Sequence, residues 1–153
     1  MAEPRQRIVV LVGLPGSGKS TWLERQGIVG ISSDWIRHVL ADNAADQTIH
    51  ARVFLTMRYL LRHRLAIGRP VSYVDATHLT PKERRPYIKI GRSFGCDVEA
   101  VYFDVPLEVC LERNRRRERA VPDDALIRMA AKLVPPRVAE GFAKVTIATG
   151  GQA

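Results

Sequence analysis

The sequence predicts an α/β fold with a parallel sheet flanked by helices. Short apolar runs rich in Val and Ile recur along the chain, and helical segments separate each run from the next. Strands that alternate with helices form βαβ units, whose strands are parallel. No repeat or linker interrupts the 153 residues, so we expect a single domain over residues 1–153.

The first two strands are predicted near the N-terminus. Arg7 to Val12 reads RIVVLV, an apolar run that ends at a glycine, as expected of a strand buried on both faces. A short helix is predicted from Thr21, followed by a weaker strand from Gly27 to Ser32. The segment DWIRHVLAD, which begins at Asp34, reads as the next helix.

The middle of the chain continues the alternation. A long helix is predicted from about Asp46 to Ile67, with apolar residues on one broad face. We interpret Asp46 as the N-cap of this helix, in preference to a role in a substrate site. A third strand follows from Val71 to Val74, and then a helix near Pro81 to Phe94 that Gly95 closes.

The last third of the chain supplies two more strands. Pro86 lies inside the predicted fourth helical segment and indicates a kink or a later start. A fourth strand is predicted from Val98 to Phe103, and a helix follows with Pro106 in its first turn. Another helix begins at Pro122, and a last strand runs near Val145 to Ala148.

Composition favours a cytoplasmic protein with no membrane partner. The apolar run from Ile8 to Val12 is far too short to span a bilayer, and the N-terminus shows no signal-peptide pattern. Only two cysteines occur, Cys96 and Cys110, which argues against a disulfide framework. The net charge of +8 suits a phosphate-rich partner, although a basic surface can also serve solubility alone.

A phosphate-binding loop follows the first strand. Gly13 to Ser20 matches the pattern G-x-x-x-x-G-K-[ST]. Its glycines let backbone N–H groups surround a phosphate, and the next helix adds its positive end. Lys19 is expected to reach the outer phosphates of ATP, and Ser20 to offer a hydroxyl to Mg²⁺. The predicted nucleotide-binding residues are Gly13, Pro15, Gly16, Ser17, Gly18, Lys19, Ser20 and Thr21.

Asp75 ends the third predicted strand. In enzymes with such a loop, a carboxylate at this position often steers the magnesium ion, directly or through water. The alternative is that Asp75 caps the turn that follows it.

A carboxylate and a cation follow the second predicted strand. Asp34 and Arg37 are three residues apart and share a face of a helix. A kinase needs a carboxylate to accept the proton of the attacking hydroxyl and a cation to hold an anionic acceptor. The alternative is that Asp34 is a helix N-cap and Arg37 lies in solvent.

The densest basic run is LERNRRRER, from Leu111 to Arg119. Arg113 and Arg117 are four residues apart, so we expect them to face the same way on a helix. Such arginines could close over a transferring phosphoryl group as a helical lid and neutralise its charge. A solvated basic face is the common alternative for such a run.

Together these blocks resemble the kinase domain of bacterial RNA-repair polynucleotide kinase-phosphatase and, more distantly, the bacteriophage polynucleotide 5′-kinase. The resemblance covers nearly the whole chain: GSGKST, SSDWIRHVLADNAADQ, VDAT with RRPYI, and VPLEVCLERNRRR. It implies a P-loop kinase with a five-stranded parallel sheet in the order 2-3-1-4-5. It also implies that Asp34 is the general base, that Arg37 holds the acceptor's 3′-phosphate, and that Arg113 and Arg117 are lid arginines.

The chain departs from this family in two ways. The family usually reads VDATN, whereas His78 follows VDAT here, which changes a hydrogen-bonding group expected near the acceptor cleft. His78 could instead be an ordinary loop residue. The chain also stops after the last predicted strand, so a phosphatase or ligase step is expected to need separate proteins.

We therefore expect an ATP- and Mg²⁺-dependent kinase that phosphorylates the 5′-hydroxyl of a DNA or RNA end. A kinase of a nucleoside, sugar or antibiotic would use the same catalytic parts and is the first alternative. A nucleotide-dependent binding module that hydrolyses ATP slowly is the second. The pair of Asp34 and Arg37 argues against that module, because a switch needs no acceptor base.

Overall fold

The computed structural model describes residues 5–117 and 120–149, which form one sheet with helices on both faces. The strands are β1 (Arg7–Val12), β2 (Ile31–Ser32), β3 (Val71–Asp75), β4 (Asp97–Asp104) and β5 (Lys144–Thr149). The α-helices are α1 (Lys19–Arg25), α2 (Ser33–Ala41), α3 (His50–Ala66), α4 (Pro81–Phe94), α5 (Leu107–Arg115) and α6 (Asp123–Lys132). A short 3-10 helix, Val138–Glu140, precedes β5. No helix among the described residues is long and apolar enough to cross a membrane.

The five strands are parallel and lie in the order β2-β3-β1-β4-β5. Ile8 of β1 faces Ser72 of β3 on one side and Val98 of β4 on the other. The predicted fold class and the strand order implied by the resemblance are therefore confirmed. Since all five strands run the same way, their carboxyl ends share one edge of the sheet, where the loops that carry the candidate site residues begin.

The central strand β1 is buried on both faces, as its unbroken apolar run predicts. Ile8 and Val10 pack in a core beneath α2, α3 and α4, whereas Val9 and Leu11 pack on the opposite face with Leu23 of α1. Burial of a Val, Leu or Ile side chain contributes about 1.5–3 kcal/mol each. The two cores hold β1 rigidly, and with it the loop that follows.

The second strand is shorter than predicted. Only Ile31–Ser32 pairs with β3, and the predicted residues from Gly27 to Gly30 lie outside the sheet. Gly27 has a left-handed backbone (φ 68°), and Val29 is 95% exposed. The apolar residues of this segment therefore belong to a surface turn rather than to a strand.

The long helix begins later than predicted, because its residues before His50 form a turn. The Asp46 carboxylate accepts hydrogen bonds from the backbone N–H (2.8 Å) and the hydroxyl (2.6 Å) of Thr48. Such a turn satisfies the aspartate locally and competes with the helix. Asp46 is therefore not the N-cap of α3, and that prediction is wrong; Ile49 occupies the position.

Prolines lie at the starts of α4 and α5, within a residue or two of the predicted positions. α4 begins at Pro81 and continues through Pro86, so the later start considered for this helix does not occur. Thr80 and Glu83 form a reciprocal capping box at its N-terminus, and Gly95 closes it as predicted. Pro106 is the N-cap of α5 rather than a residue of its first turn.

α5 ends at Arg115, so Arg113 lies in the helix and Arg117 lies beyond it. Asn114 is 1% exposed, and its side-chain amide bonds both the carbonyl and the N–H of Val121. These bonds turn the chain back on the end of the helix. Arg117 therefore lies beyond α5, and the expectation that it shares a helical face with Arg113 is wrong.

Candidate active site

The phosphate-binding loop connects the buried end of β1 to α1. Gly16 and Gly18 have left-handed backbones (φ 82° and 97°). A side chain at Gly16 would also place its Cβ 2.8 Å from the carbonyl oxygen of Cys110. The loop therefore requires glycine at Gly16 for both conformation and space. The Ser17 hydroxyl is buried and has no hydrogen-bond partner among the described residues, as expected inside a cradle built for a further polar group.

Lys19 places its ammonium inside the loop. Its Nζ donates to the carbonyl oxygens of Gly13 and Leu14, at 2.9 Å each, and the side chain is buried. Burial lowers the pKa of Lys19, while the nearby carboxylates of Asp75 and Asp34 act in the opposite direction. A cation fixed at this point is positioned to meet the phosphates of a nucleotide.

Ser20 and Asp75 form a pair of oxygen ligands beside Lys19. The Ser20 hydroxyl donates to Asp75 Oδ2 at 3.1 Å. Burial raises the pKa of Asp75, and Lys19 and the Ser20 hydrogen bond counteract this effect. Among the described residues, the Asp75 side chain thus bonds to Ser20 at the phosphate-binding loop rather than to the turn that follows it. Two such oxygens fit Mg²⁺, which commonly takes one or two protein ligands and completes its shell with water and phosphate.

Asp34 and Arg37 extend from α2 into the same cleft. The N-cap of α2 is Ser32, whose hydroxyl accepts from the N–H of Trp35, so the N-cap interpretation of Asp34 is wrong. The Asp34 side chain is 59% exposed, whereas that of Arg37 is 7% exposed. Arg37 Nη1 lies 3.5 Å from Asp34 Oδ1. Its Nε is buried without a hydrogen-bond partner among the described residues.

The basic run divides between the cleft and the surface. Arg113 lines the cleft, where its Nη1 lies 3.4 Å from the Gly16 carbonyl oxygen, and Arg117 lines the same cleft from beyond α5. Arg115 and Arg116 instead pair at the surface with Asp123 and Glu112. The last two residues of the run, 118 and 119, lie outside the described residues.

These side chains surround one cleft of about 1200 Å³ at the carboxyl edge of the sheet. The structure brings together all the predicted charged residues of the site, and these are Lys19, Asp34, Arg37, Asp75, Arg113 and Arg117. Of the predicted nucleotide-binding residues, Gly13 and Ser17 are not among those that line the cleft surface. Gly13 is still required by packing, because a Cβ there would lie 2.6 Å from Ser17 Oγ.

The cleft has walls that sequence reasoning missed. His50 and Phe54 of α3 face it, with ring centroids 4.6 Å apart, and Val121 and Met129 line the side near α6. The spacing of His50 and Phe54 places them on one helix face, but this spacing is equally typical of a core face. Asn43, Ala44, Ala45 and Gln47, in the turn that follows α2, also line the cleft.

His78 does not face the cleft, so its expected place near the acceptor is wrong. It is 1% exposed, and its Nδ1 lies 2.6 Å from the Leu11 carbonyl oxygen. A carbonyl only accepts, so Nδ1 carries the proton and Nε2 accepts from the Tyr87 hydroxyl at 3.1 Å. Burial lowers the pKa of His78 to about 4, which keeps the ring neutral. The Gly13 N–H also donates to the carbonyl of Thr77, so the loop after Asp75 is held both to β1, at Leu11, and to the phosphate-binding loop, at Gly13.

A family model described as an AAA domain matches residues 8–136 of the chain. The chain belongs to this AAA domain family. The match runs from β1 through α6 and includes every charged residue of the cleft. Among curated proteins, the chain is 32% identical over 79 residues to the human L-seryl-tRNA(Sec) kinase. It is 27% identical over 152 residues to the Arabidopsis thaliana transcription factor bHLH140. It spans only 22% and 16% of the lengths of these two relatives.

Solved structures share the fold of this AAA domain at low sequence identity. A protein from Chloroflexus aurantiacus assigned as a kinase superposes with a TM-score of 0.73 at 13% identity, covering 97% of this chain and 87% of its own. A gluconokinase from Sinorhizobium meliloti gives 0.60 at 20% identity, over 99% and 86% of the two chains. A chain of the Pnkp1/Rnl/Hen1 complex gives 0.63 at 20% identity, over 80% and 42%. A gluconokinase and a protein assigned as a kinase therefore share the fold of this chain.

Proposed function

We propose that this protein is an ATP-dependent polynucleotide 5′-hydroxyl kinase. The observation that carries the proposal is the pair on α2. Arg37 is buried at the cleft, and its guanidinium Nε has no hydrogen-bond partner within the part of the chain that the structure describes. Asp34 is exposed one helical turn away, with its carboxylate 3.5 Å from Arg37 Nη1. A buried cation with unused donor capacity is costly unless an anion completes it. The site is therefore suited to an acceptor that carries an anionic group close to the hydroxyl that reacts.

The phosphate donor in this proposal is ATP, held by the loop between β1 and α1. The loop N–H groups and the Lys19 ammonium bind its β- and γ-phosphates, for which the buried Lys19 is already in place. Ser20 and Asp75 would hold Mg²⁺, which supplies neutralisation of phosphate charge when bound.

Asp34 acts on the acceptor. Its carboxylate is exposed to the cleft on the side of Lys19, so it can accept a hydrogen bond from the incoming hydroxyl and take its proton as the new O–P bond forms. Arg113 and Arg117 line the same cleft, where their guanidinium groups can stabilise charge on the transferring phosphoryl oxygens. ADP and a phosphorylated acceptor are the products.

The 5′ end of a nucleic acid is the acceptor that fits this arrangement. Its first internucleotide phosphate lies one sugar away from the 5′-hydroxyl, a separation that matches the short step from Asp34 to Arg37. The net charge of +8 favours a polyanion as well. The similarity of fold to the Pnkp1 chain agrees with this substrate class but does not decide it.

A small-molecule kinase is the second candidate. The gluconokinase neighbour covers 99% of this chain, with a TM-score close to that of the Pnkp1 chain. A sugar or nucleoside acceptor would use Lys19, Asp34 and the arginines in the same way. It would leave the buried Nε donor of Arg37 unused unless the acceptor is itself anionic, because Asp34 lies beside Nη1 only.

The acceptor's 3′-phosphate separates the two candidates. An arginine–phosphate contact is charge-assisted and contributes on the order of 1.5–3 kcal/mol. The protein is therefore expected to prefer a nucleoside 3′-monophosphate over the matching nucleoside by at least about tenfold in kcat/KM. Arg37→Ala should remove most of this preference and raise KM more than it lowers kcat, because the contact exists before the transition state.

The measurement is steady-state kinetics on an oligonucleotide, a nucleoside 3′-monophosphate and a nucleoside. Arg128→Ala is the matched control, since Arg128 is exposed and pairs with Asp124 away from the cleft. Equal efficiency of the unmodified protein on the nucleoside and on its 3′-monophosphate would reject the polynucleotide proposal and favour the small-molecule candidate.

A further inference from the structure

The helices α3 and α4 carry most of the excess positive charge of the molecule. They contact each other and pack on the same core, on the face of the sheet opposite α1. Their 31 residues contain nine Lys or Arg and a single acid, Glu83, which is engaged in the N-terminal capping box. The whole chain, by comparison, has 24 basic and 16 acidic residues. The charge is therefore concentrated on one side of the protein.

Six of these cations are exposed and define what we call the α3–α4 basic face. They are Arg52 and Arg62 of α3 and Lys82, Arg85, Lys89 and Arg92 of α4. The α4 members are spaced by three, four and three residues, which places them on one side of the helix. Residues 5–117 and 120–149 offer none of the six a carboxylate within ion-pair distance.

Three exposed arginines elsewhere on the surface are neutralised. Arg115, Arg116 and Arg128, on or next to α5 and α6, each pair with an aspartate or glutamate at 2.7–2.9 Å. A surface whose charges serve solubility alone is expected to mix acidic and basic side chains, as the surface of α5 and α6 does. The α3–α4 basic face instead presents one sign over two adjacent helices, which is the electrostatic pattern of a surface that binds phosphates.

Apolar groups lie within the same face. Leu55 and Tyr59 are each 60% exposed, and they stand between Arg52 and Arg62 at spacings of three, four and three residues. An exposed tyrosine ring beside arginines is the combination on which single-stranded nucleic acids stack their bases.

The face begins where the candidate active site ends. His50 and Phe54, in the first two turns of α3, line the cleft, and α4 starts a few residues after Asp75 at the same edge of the sheet. α3 extends about 25 Å from that edge, a length that corresponds to roughly seven nucleotides at the spacing of a duplex strand. A strand that leaves the cleft in this direction meets the basic face directly.

We propose that the α3–α4 basic face binds the sugar-phosphate backbone of the acceptor nucleic acid outside the catalytic cleft. This inference rests on the proposed polynucleotide acceptor and assigns it an extended contact beyond the terminal nucleotide. The contact is electrostatic, so it carries no sequence preference and weakens with salt.

The test is the double variant Arg85→Glu/Lys89→Glu, which reverses two neighbouring charges away from the cleft. Binding of a single-stranded oligonucleotide long enough to span α3 is measured by fluorescence anisotropy over a series of salt concentrations. We expect affinity to fall by at least about tenfold at low salt, and the slope of log K against log salt to shrink by about 1.4, which corresponds to two lost phosphate contacts. Transfer to a nucleoside 3′-monophosphate should be unchanged, because that acceptor does not reach the face.

Lys132→Glu/Lys144→Glu is the control with the same change in net charge, since both lysines are exposed and lie outside α3 and α4. Wild-type oligonucleotide affinity in the Arg85/Lys89 variant would overturn the inference, as would an equal loss in the control. Binding to anionic lipid vesicles without binding to the oligonucleotide would also overturn it. The proposed reaction has its own readout, which is phosphate transfer to an oligonucleotide. If no transfer occurs, the proposed function fails, but the anisotropy measurement still shows whether the α3–α4 basic face binds the oligonucleotide.

Discussion

Replacement of Arg117 by Ala is expected to lower kcat by about 10³-fold or more, with a smaller effect on KM. Arginines that neutralise a transferring phosphoryl group typically contribute this much. Arg117 lines the cleft and acts over a distance on both Lys19 and Asp75, which places its charge close to the phosphate-binding loop. Arg113, which lines the same cleft, should show a loss of similar size, and single-turnover kinetics with saturating ATP measures both.

Two further variants show whether the guanidinium group of Arg117 itself is needed. Arg117→Lys keeps the charge but changes its geometry, and Arg116→Ala removes a neighbouring charge. Arg117→Lys should recover little activity, because lysine lacks the planar pair of donors that an arginine presents to phosphate oxygens. Arg116→Ala is the control one residue away, and its loss should cost little, since Arg116 pairs with Glu112 at the surface. An unchanged kcat in Arg117→Ala would contradict this role and favour the alternative, in which the basic run from Leu111 to Arg119 is a solvated surface.

Asp34→Asn is expected to reduce kcat by about 10²–10⁴-fold, the usual contribution of a general base. The amide keeps the size of the side chain and can still receive a hydrogen bond, but it cannot take the proton. ATP binding should be nearly unaffected, because within the described part of the chain the Asp34 carboxylate contacts Arg37 and not the loop from Gly13 to Ser20. The measurements are the acceptor turnover and the dissociation constant of ATP in the same preparation.

The control for Asp34 is Asp42→Asn. Asp42 is exposed at the end of α2 in a left-handed conformation (φ 55°) that asparagine also adopts readily. It does not line the cleft, so this variant should keep full activity. Near-normal turnover by Asp34→Asn would remove the general-base assignment, even if the rest of the site behaved as proposed.

Local sequence patterns predicted most of the fold. The apolar run of β1, the glycine-rich loop and the helix end at Gly95 depend on neighbouring residues, and all of them lie where they were expected. The strand order came from the resemblance rather than from any pattern, because pairing between distant strands leaves no periodic signal. The start of α3 and the end of α5 differ from what was expected, and they are set by the side chains of Asp46 and Asn114.

The sequence predicted which charged residues form the candidate site, but not how deeply each side chain is buried. Spacing placed Asp34 and Arg37 on one face of a helix, yet it could not show that Arg37 is buried and Asp34 exposed, since burial depends on how α2 packs against α3. Similarly, His78 was expected at the cleft because of its place after Thr77. The left-handed backbone at His78 (φ 46°) accompanies a side chain placed in the core, in contact with Leu11 and Tyr87.

The central claim is that the protein transfers the γ-phosphate of ATP to the 5′-hydroxyl of a nucleic-acid end. Its most direct test is to incubate the protein with γ-labelled ATP, Mg²⁺ and an oligonucleotide that ends in a 5′-hydroxyl, and then to locate the label in the products. We predict that the label appears as a phosphomonoester at the 5′ end, in equal amount with ADP, and that an oligonucleotide already phosphorylated at that end receives none. Label found only in inorganic phosphate, or only in an added nucleoside or sugar, would contradict the claim.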